Sequence, residues 1–129
     1  GIFSATPLPE KVEGYFKSDI SKELSLEALA AVKDLFEGKH HASSTNGISL
    51  KSYLINLERV DIATSITNQF DIARTQIEGL NNNFSVQIET DNTAMTMSYD
   101  ELQKAVVLLK VDMLQALNVS VDYIDADGD

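Results

Sequence analysis

Cysteine is absent from the sequence. Disulfides, thiolate metal sites, cysteine nucleophiles and lipid-modified cysteines are therefore excluded together. Proline occurs only as Pro7 and Pro9, which confines its block on regular hydrogen bonding to the first residues. No apolar run approaches the ~20 residues that a membrane span requires. Internal repeats and low-complexity segments are also lacking. Cations are scarce: 10 Lys and Arg stand against 20 Asp and Glu, for a formal net charge of -10 and a pI near 4.5. Such a surface repels phosphate backbones and anionic lipid heads, so neither nucleic-acid binding nor polybasic membrane binding is expected.

Motifs of self-contained chemistry are missing too. There is no H-E-x-x-H, G-x-S-x-G, P-loop or G-x-G-x-x-G, hence no zincin site, hydrolase elbow or phosphate cradle. Gly1-Ile2-Phe3-Ser4 is neither an initiator methionine nor a charged n-region leading into an apolar stretch, so no signal peptide is expected in this sequence. A processed, tagged or cut start is equally compatible with that beginning.

What is present has the composition of one globular domain. Hydrophobic residues make up 43% of the 129 and charged residues 23%, enough to bury an ordinary core. Residues 1–24 read as an irregular lead-in, in which Gly14-Tyr15-Phe16 looks like an extended segment docking two aromatic rings. Residues 25–118 read as a helical bundle. Ser25 is placed to cap a first helix carrying Leu26, Leu29, Val32, Leu35 and Phe36 at helical spacing and stopped by Gly38. A second, shorter helix is expected over Ile48 to Glu58, with Leu50, Tyr53, Leu54 and Leu57 on one stripe.

Asp61 can cap a third, along which Ile66, Phe70, Ala73, Ile77 and Leu80 step by 4, 3, 4 and 3 up to Asn81-Asn82-Asn83. Ser98 and Glu101 suggest a capping box for a fourth, with Leu102, Val106, Leu109, Met113 and Ala116 as its seam. Its wide apolar face predicts a central position, and Thr93 to Met97 can extend it backwards. Residues 119–129 alternate like a short extended strand and end in an acidic tail. The fold class expected is therefore all-α, an antiparallel up-and-down bundle of three to four main helices with an extended C-terminal tail.

Few residues are candidates for metal chemistry. Glu37-Gly38-Lys39-His40 has the E-x-x-H spacing of di-iron bundles, but that site needs two such motifs and Gly38 interrupts this one. A solvated loop bearing His40 and His41 is the plainer expectation, with at most weak scavenging of nickel or zinc. Asp125, Asp127 and Asp129 stand at the spacing of the first three ligands of a calcium loop, without the glutamate that closes it. An acidic turn is the expectation there and calcium the alternative. Asn83-Phe84-Ser85 and Asn118-Val119-Ser120 match a glycosylation sequon that recurs readily by chance. Met95, Met97 and Met113 read as core filling, and Glu58, Asp61 and Glu78 as a solvated face.

A family resemblance runs through much of the chain. Asp91-Asn-Thr-Ala94, Tyr99-Asp-Glu-Leu-Gln-Lys-Ala-Val-Val-Leu-Leu-Lys-Val-Asp-Met113 and Asn118-Val-Ser-Val-Asp-Tyr-Ile-Asp-Ala-Asp-Gly-Asp129 resemble the C-terminal end of imelysin-like proteins, also filed as peptidase M75. Glu13-Gly-Tyr-Phe16, Leu26-Glu-Ala-Leu29 and Leu35-Phe-Glu-Gly38 resemble the lead into that family's second bundle, in the style of Bacteroidetes-type members.

The resemblance implies part of a two-bundle, all-α protein, often a lipoprotein, exported to the periplasm or outer surface of a Gram-negative bacterium. It also implies an association with iron uptake, with iron as a possible cofactor of the full-length protein. The family's G-x-H-x-x-E motif has no counterpart here, since His40 is followed three places on by Ser43 and His41 by Ser44. No catalytic residue is carried over, and a non-enzymatic binding bundle is the leading expectation. A metallopeptidase whose catalytic half lies elsewhere and a stand-alone interaction or sensor domain are the alternatives. The expected partner is the family's N-terminal bundle, or a second copy, covering exposed apolar surface.

Overall fold

The computed structural model describes residues 6–12, 14–17, 19–40, 43 and 45–118. The Asp125, Asp127 and Asp129 tail, His41 and the second sequon's Ser120 lie outside them. The architecture is an all-α bundle: α1 (Ser21–Glu37), α2 (Leu50–Asn56), α3 (Val60–Glu78), α4 (Phe84–Thr90) and α5 (Asn92–Val107). A π-wound segment (Leu108–Met113) and one last α-turn (Leu114–Ala116) continue α5 without a break. A 3-10 turn (Pro9–Lys11) precedes the bundle, and among the described residues the only β pairing is an isolated bridge between Lys39 and Asn46.

Cross-links between helices fix their directions. Lys22 reaches the carbonyl oxygens of Glu78 and Leu80, while Lys33 pairs with Asp71, so α1 and α3 run antiparallel. Gln69 bonds Glu101, and Arg59 feels the charge of Asp112, so α3 and the last helix do likewise. α3 touches α1, α2, α5 and the π-wound segment, which makes it the hub. The centre expected of the last helix belongs to α3 instead. The last helix packs on α3 and α4 and leaves Val106, Val107 and Val111 exposed.

The α3 stripe is buried as its spacing predicts: Ile66, Phe70, Ala73, Ile77 and Leu80 all lie in the core. Phe70 meets Phe36 of α1 with ring centroids 6.1 Å apart, a tilted pair within the favourable range for aromatic rings. The shorter α2 contributes less than its stripe suggests. Leu54 is buried completely, but Leu50, Tyr53 and Leu57 are exposed. A seven-residue helix lying on a bundle can turn little more than one side chain per turn inward.

Helix ends depart from the sequence reading in instructive ways. α1 starts at Ser21 rather than Ser25, and no side chain caps it. Its early orphan amide at Lys22 donates instead to the carbonyl of Asn82, 3.2 Å away, so a distant segment performs the cap's task. Ser49 caps α2 in a reciprocal box with Ser52, at 3.0 and 2.9 Å. Asp61 lies inside α3 rather than capping it, and takes a two-pronged bond from Arg59 with both contacts at 3.0 Å.

α4 is an element the sequence reading lacks. Asn83 accepts hydrogen bonds from the amides of Ser85 and Val86 and so starts α4 rather than merely ending α3. Asp91 caps α5 in the same manner, accepting from Thr93 and Ala94. Ser98 is therefore an interior residue, its hydroxyl donating to the carbonyl of Ala94 at 3.1 Å, and the expected box with Glu101 does not form. The backward extension through Thr93 to Met97 is present.

The expected seam of the last helix packs at four of its five positions: Met113 is buried and Leu102, Leu109 and Ala116 lie against the core, while Val106 stays exposed. Ala105 and Leu117 join Leu109 and Met113 in a row of contacts every four residues. Contacts every four residues overrun an ordinary α-helix by about 40° per step, which the wider π winding of Leu108–Met113 absorbs.

Ahead of α1 the described residues of the lead-in form turns, and its aromatic residues do not dock. Gly14 is left-handed (φ 75°) and accepts a bond from the amide of Lys17, making a turn in which Phe16 is 96% exposed. Tyr15 and Phe16 stack edge to face on each other, with centroids 5.2 Å apart, outside the core.

Candidate functional site

The described residues enclose an open cleft of about 850 Å³ between the lead-in and α5. Pro7 and Pro9 hold the lead-in away from α-helical pairing, and Pro9 opens the 3-10 turn that rests on α4. Leu8 and Val12 form one wall with Lys11 at the rim, and Ile88 of α4 closes the floor. Asn92, Met95, Thr96, Tyr99 and Asp100 form the other wall, at the i, i+3, i+4, i+7 and i+8 spacing of one helix face.

The lining is mostly apolar with a few polar groups, the usual composition of a small-ligand site. The Thr96 hydroxyl donates to the Asn92 carbonyl at 3.0 Å and is committed to the helix. Lys11, Tyr99 and Asp100 make no side-chain hydrogen bond or ion pair with other described residues, so an ammonium, a phenol and a carboxylate remain available at the mouth. Such an arrangement can hold an amphipathic molecule by its apolar body and orient its polar end. No histidine is among the described residues that line the cleft.

The sequence-derived metal candidates are not gathered by the fold. Gly38 ends α1 in the left-handed region (φ 71°), so Glu37 belongs to the helix and His40 to the loop beyond it. The Glu37 carboxylate accepts from Lys51 at 2.8 Å. The His40 backbone amide donates to the Thr45 carbonyl at 3.3 Å, and its ring lies against Gly47. Among the described residues no three His, Asp or Glu side chains are grouped to hold a metal ion. The cleft supplies one carboxylate, Asp100, and so does not by itself fit iron.

The electrostatics of the bundle are settled by short-range pairs. Lys104 donates to Glu101 at 2.7 Å and, with the Gln69 amide, holds the Glu101 carboxyl below the ordinary glutamate range. Arg59 lowers Asp61 in the same way. Glu58, Asp61 and Glu78 are exposed, and Glu78 accepts from Arg74 at 2.8 Å, the solvated face their sequence positions suggest. Met113 fills the core as expected and Met95 divides itself between core and cleft, but Met97 is exposed. The sequence signals the cleft only faintly, by the spacing of Asn92, Met95, Thr96 and Tyr99 on one helix face.

Fold and site together define a small all-α bundle with an open, amphipathic cleft. No family model matches the chain, and neither a curated protein nor a solved structure matches it significantly. Among the described residues no helix is long and apolar enough to cross a membrane.

Proposed function

We propose that this chain is the C-terminal bundle of an imelysin-like protein exported to the periplasm or outer surface of a Gram-negative bacterium. In this reading it is not an enzyme. It lends its cleft as one wall of a ligand-binding site associated with iron uptake, and the protein's N-terminal bundle supplies the facing wall. The supporting observation is the cleft: mostly apolar, open on one side, with Lys11, Tyr99 and Asp100 uncommitted at its mouth. A site shared between two bundles would look like this from one side, because binding sites concentrate at such junctions. Any iron would take its ligands mainly from outside the described residues.

The test is to purify the product of the native reading frame, weigh it intact, and titrate it with ferric iron by calorimetry. The reading expects a mass two to three times that of the 14.2 kDa chain. It also expects iron binding that Met95→Arg in the cleft weakens by about tenfold, a difference of ~1.4 kcal/mol. A product of the chain's own mass that ignores iron would overturn it. Cleavage of insulin that a chelator blocks would replace it with the metallopeptidase alternative.

A further inference from the structure

α1 turns two apolar faces in different directions. Leu26, Leu29 and Phe36 point into the bundle. On nearly the opposite side, Leu24, Ala28, Ala31 and Leu35 form a second stripe, all four exposed, with Leu35 at 75%. Their spacing of 4, 3 and 4 residues is that of a helix seam, and the two alanines at its middle allow another backbone to approach closely. Val32 widens the stripe along one edge. Ile48, 99% exposed on the loop that folds back against Gly38, adds apolar surface near its C-terminal end.

Charge lies along the other edge. On a wheel of about 3.6 residues per turn, Glu23, Glu27 and Asp34 all fall to one side of the seam, and no cation of α1 falls among them. Glu23 and Glu27 stand four residues apart, a like-charged arrangement that costs a helix stability unless a cation bridges it. Neither makes an ion pair with a described residue. Arg74 senses Glu27 but spends its hydrogen bond on Glu78, and Lys39 serves Asp34. Two copies of α1 laid antiparallel along this seam would bring the carboxylate edges against each other, within a chain already at -10. The charge that completes this surface is positive.

We infer that the outer face of α1 is a docking site for a basic amphipathic helix. Its partner helix seats an apolar ridge along Leu24, Ala28, Ala31 and Leu35 and lays lysines or arginines beside Glu23 and Glu27. This inference stands on α1 alone and does not depend on the cleft or on the family reading.

Two synthetic helices of five turns (about 18 residues) test it. They share one leucine and alanine ridge, and one is flanked by lysine and the other by glutamate. Binding to the 129-residue chain is followed by fluorescence anisotropy at low and moderate salt. The lysine-flanked peptide is expected to bind, and the glutamate-flanked one to bind at least about tenfold more weakly. Ala31→Glu and Leu35→Ser should each reduce the first affinity by about tenfold with the melting temperature unchanged, since both positions are exposed. Glu23→Gln with Glu27→Gln should flatten its salt dependence.

Failure of the lysine-flanked peptide to bind would overturn the proposal. So would binding that ignores Ala31→Glu and Leu35→Ser, which would mean attraction to the acidic surface in general. A chain that is already a dimer, and that Ala31→Glu splits, would assign the seam to a second copy and overturn it as well.

Discussion

The side-chain amide of Gln69 bridges α3 to Glu101 of α5 twice over, donating to its backbone carbonyl at 2.9 Å and to its carboxylate at 2.8 Å. One polar side chain thus registers α3 and α5 against each other beside the apolar core. Gln69→Leu removes both bonds and leaves the half-buried acceptors to water, so a loss of about 1–2 kcal/mol is expected in urea unfolding at neutral pH.

The same contact gives a pH signature. Lys104 first, and Gln69 second, hold the folded Glu101 carboxyl below its ordinary value of 4.5. A carboxyl depressed by folding stabilises the protein above the unfolded value, and the gain disappears as pH falls through the folded one. The difference in melting temperature between the native chain and Glu101→Gln should therefore be largest near neutrality and shrink below about pH 4.5.

Two serine-or-aspartate substitutions separate the observed start of α5 from the one its sequence suggests. Asp91→Ala deletes the cap on Thr93 and Ala94 and should cost about 1 kcal/mol. Ser98→Ala only removes an interior hydroxyl that bonds back to Ala94, so a change within about 0.5 kcal/mol is expected. The reverse ranking in chemical denaturation would place the helix start at Ser98.

Phe70→Ala empties the centre of the core, where Phe70 meets Phe36 across α3 and α1. The expected cost is about 3–5 kcal/mol, enough to unfold much of the population at modest urea.

Gly38→Ala strains a left-handed residue and sets a methyl 2.6 Å from the Ser49 Cβ and 2.8 Å from the Gly47 carbonyl oxygen. About 2 kcal/mol or more of destabilisation is expected, because backbone rather than a flexible side chain has to move. A melting temperature equal to that of the native chain would contradict this geometry.

Periodicity made the α3 stripe legible because every member of it is buried by a neighbour, so pattern and packing coincide. α1 shows where that reasoning stops. Leu26, Leu29 and Phe36 belong to one face and Val32 and Leu35 to another, and a one-dimensional pattern merges two faces that only a fold separates. Local cap signals mislead for a related reason. Ser25, Asp61 and Ser98 are good local candidates, but the amide of Lys22 finds its partner in Asn82, 60 residues away, and Asp91 pre-empts Ser98. The cleft was the least visible feature, since half of its wall is an irregular segment whose position follows from no periodicity at all.

The π winding from Leu108 to Met113 acts as one spare residue held within the last helix. Deleting a single exposed position from it, such as Lys110, would let the helix close to ordinary pitch while Leu114 and Leu117 keep their present bearing on the core, because about five residues of π winding turn as far as about four of α. The same deletion within α5, where no residue is spare, would swing everything after it through about 100°. Tolerance to shortening is thus confined to one short stretch of loosened coil, and the rest of the last helix must keep its count.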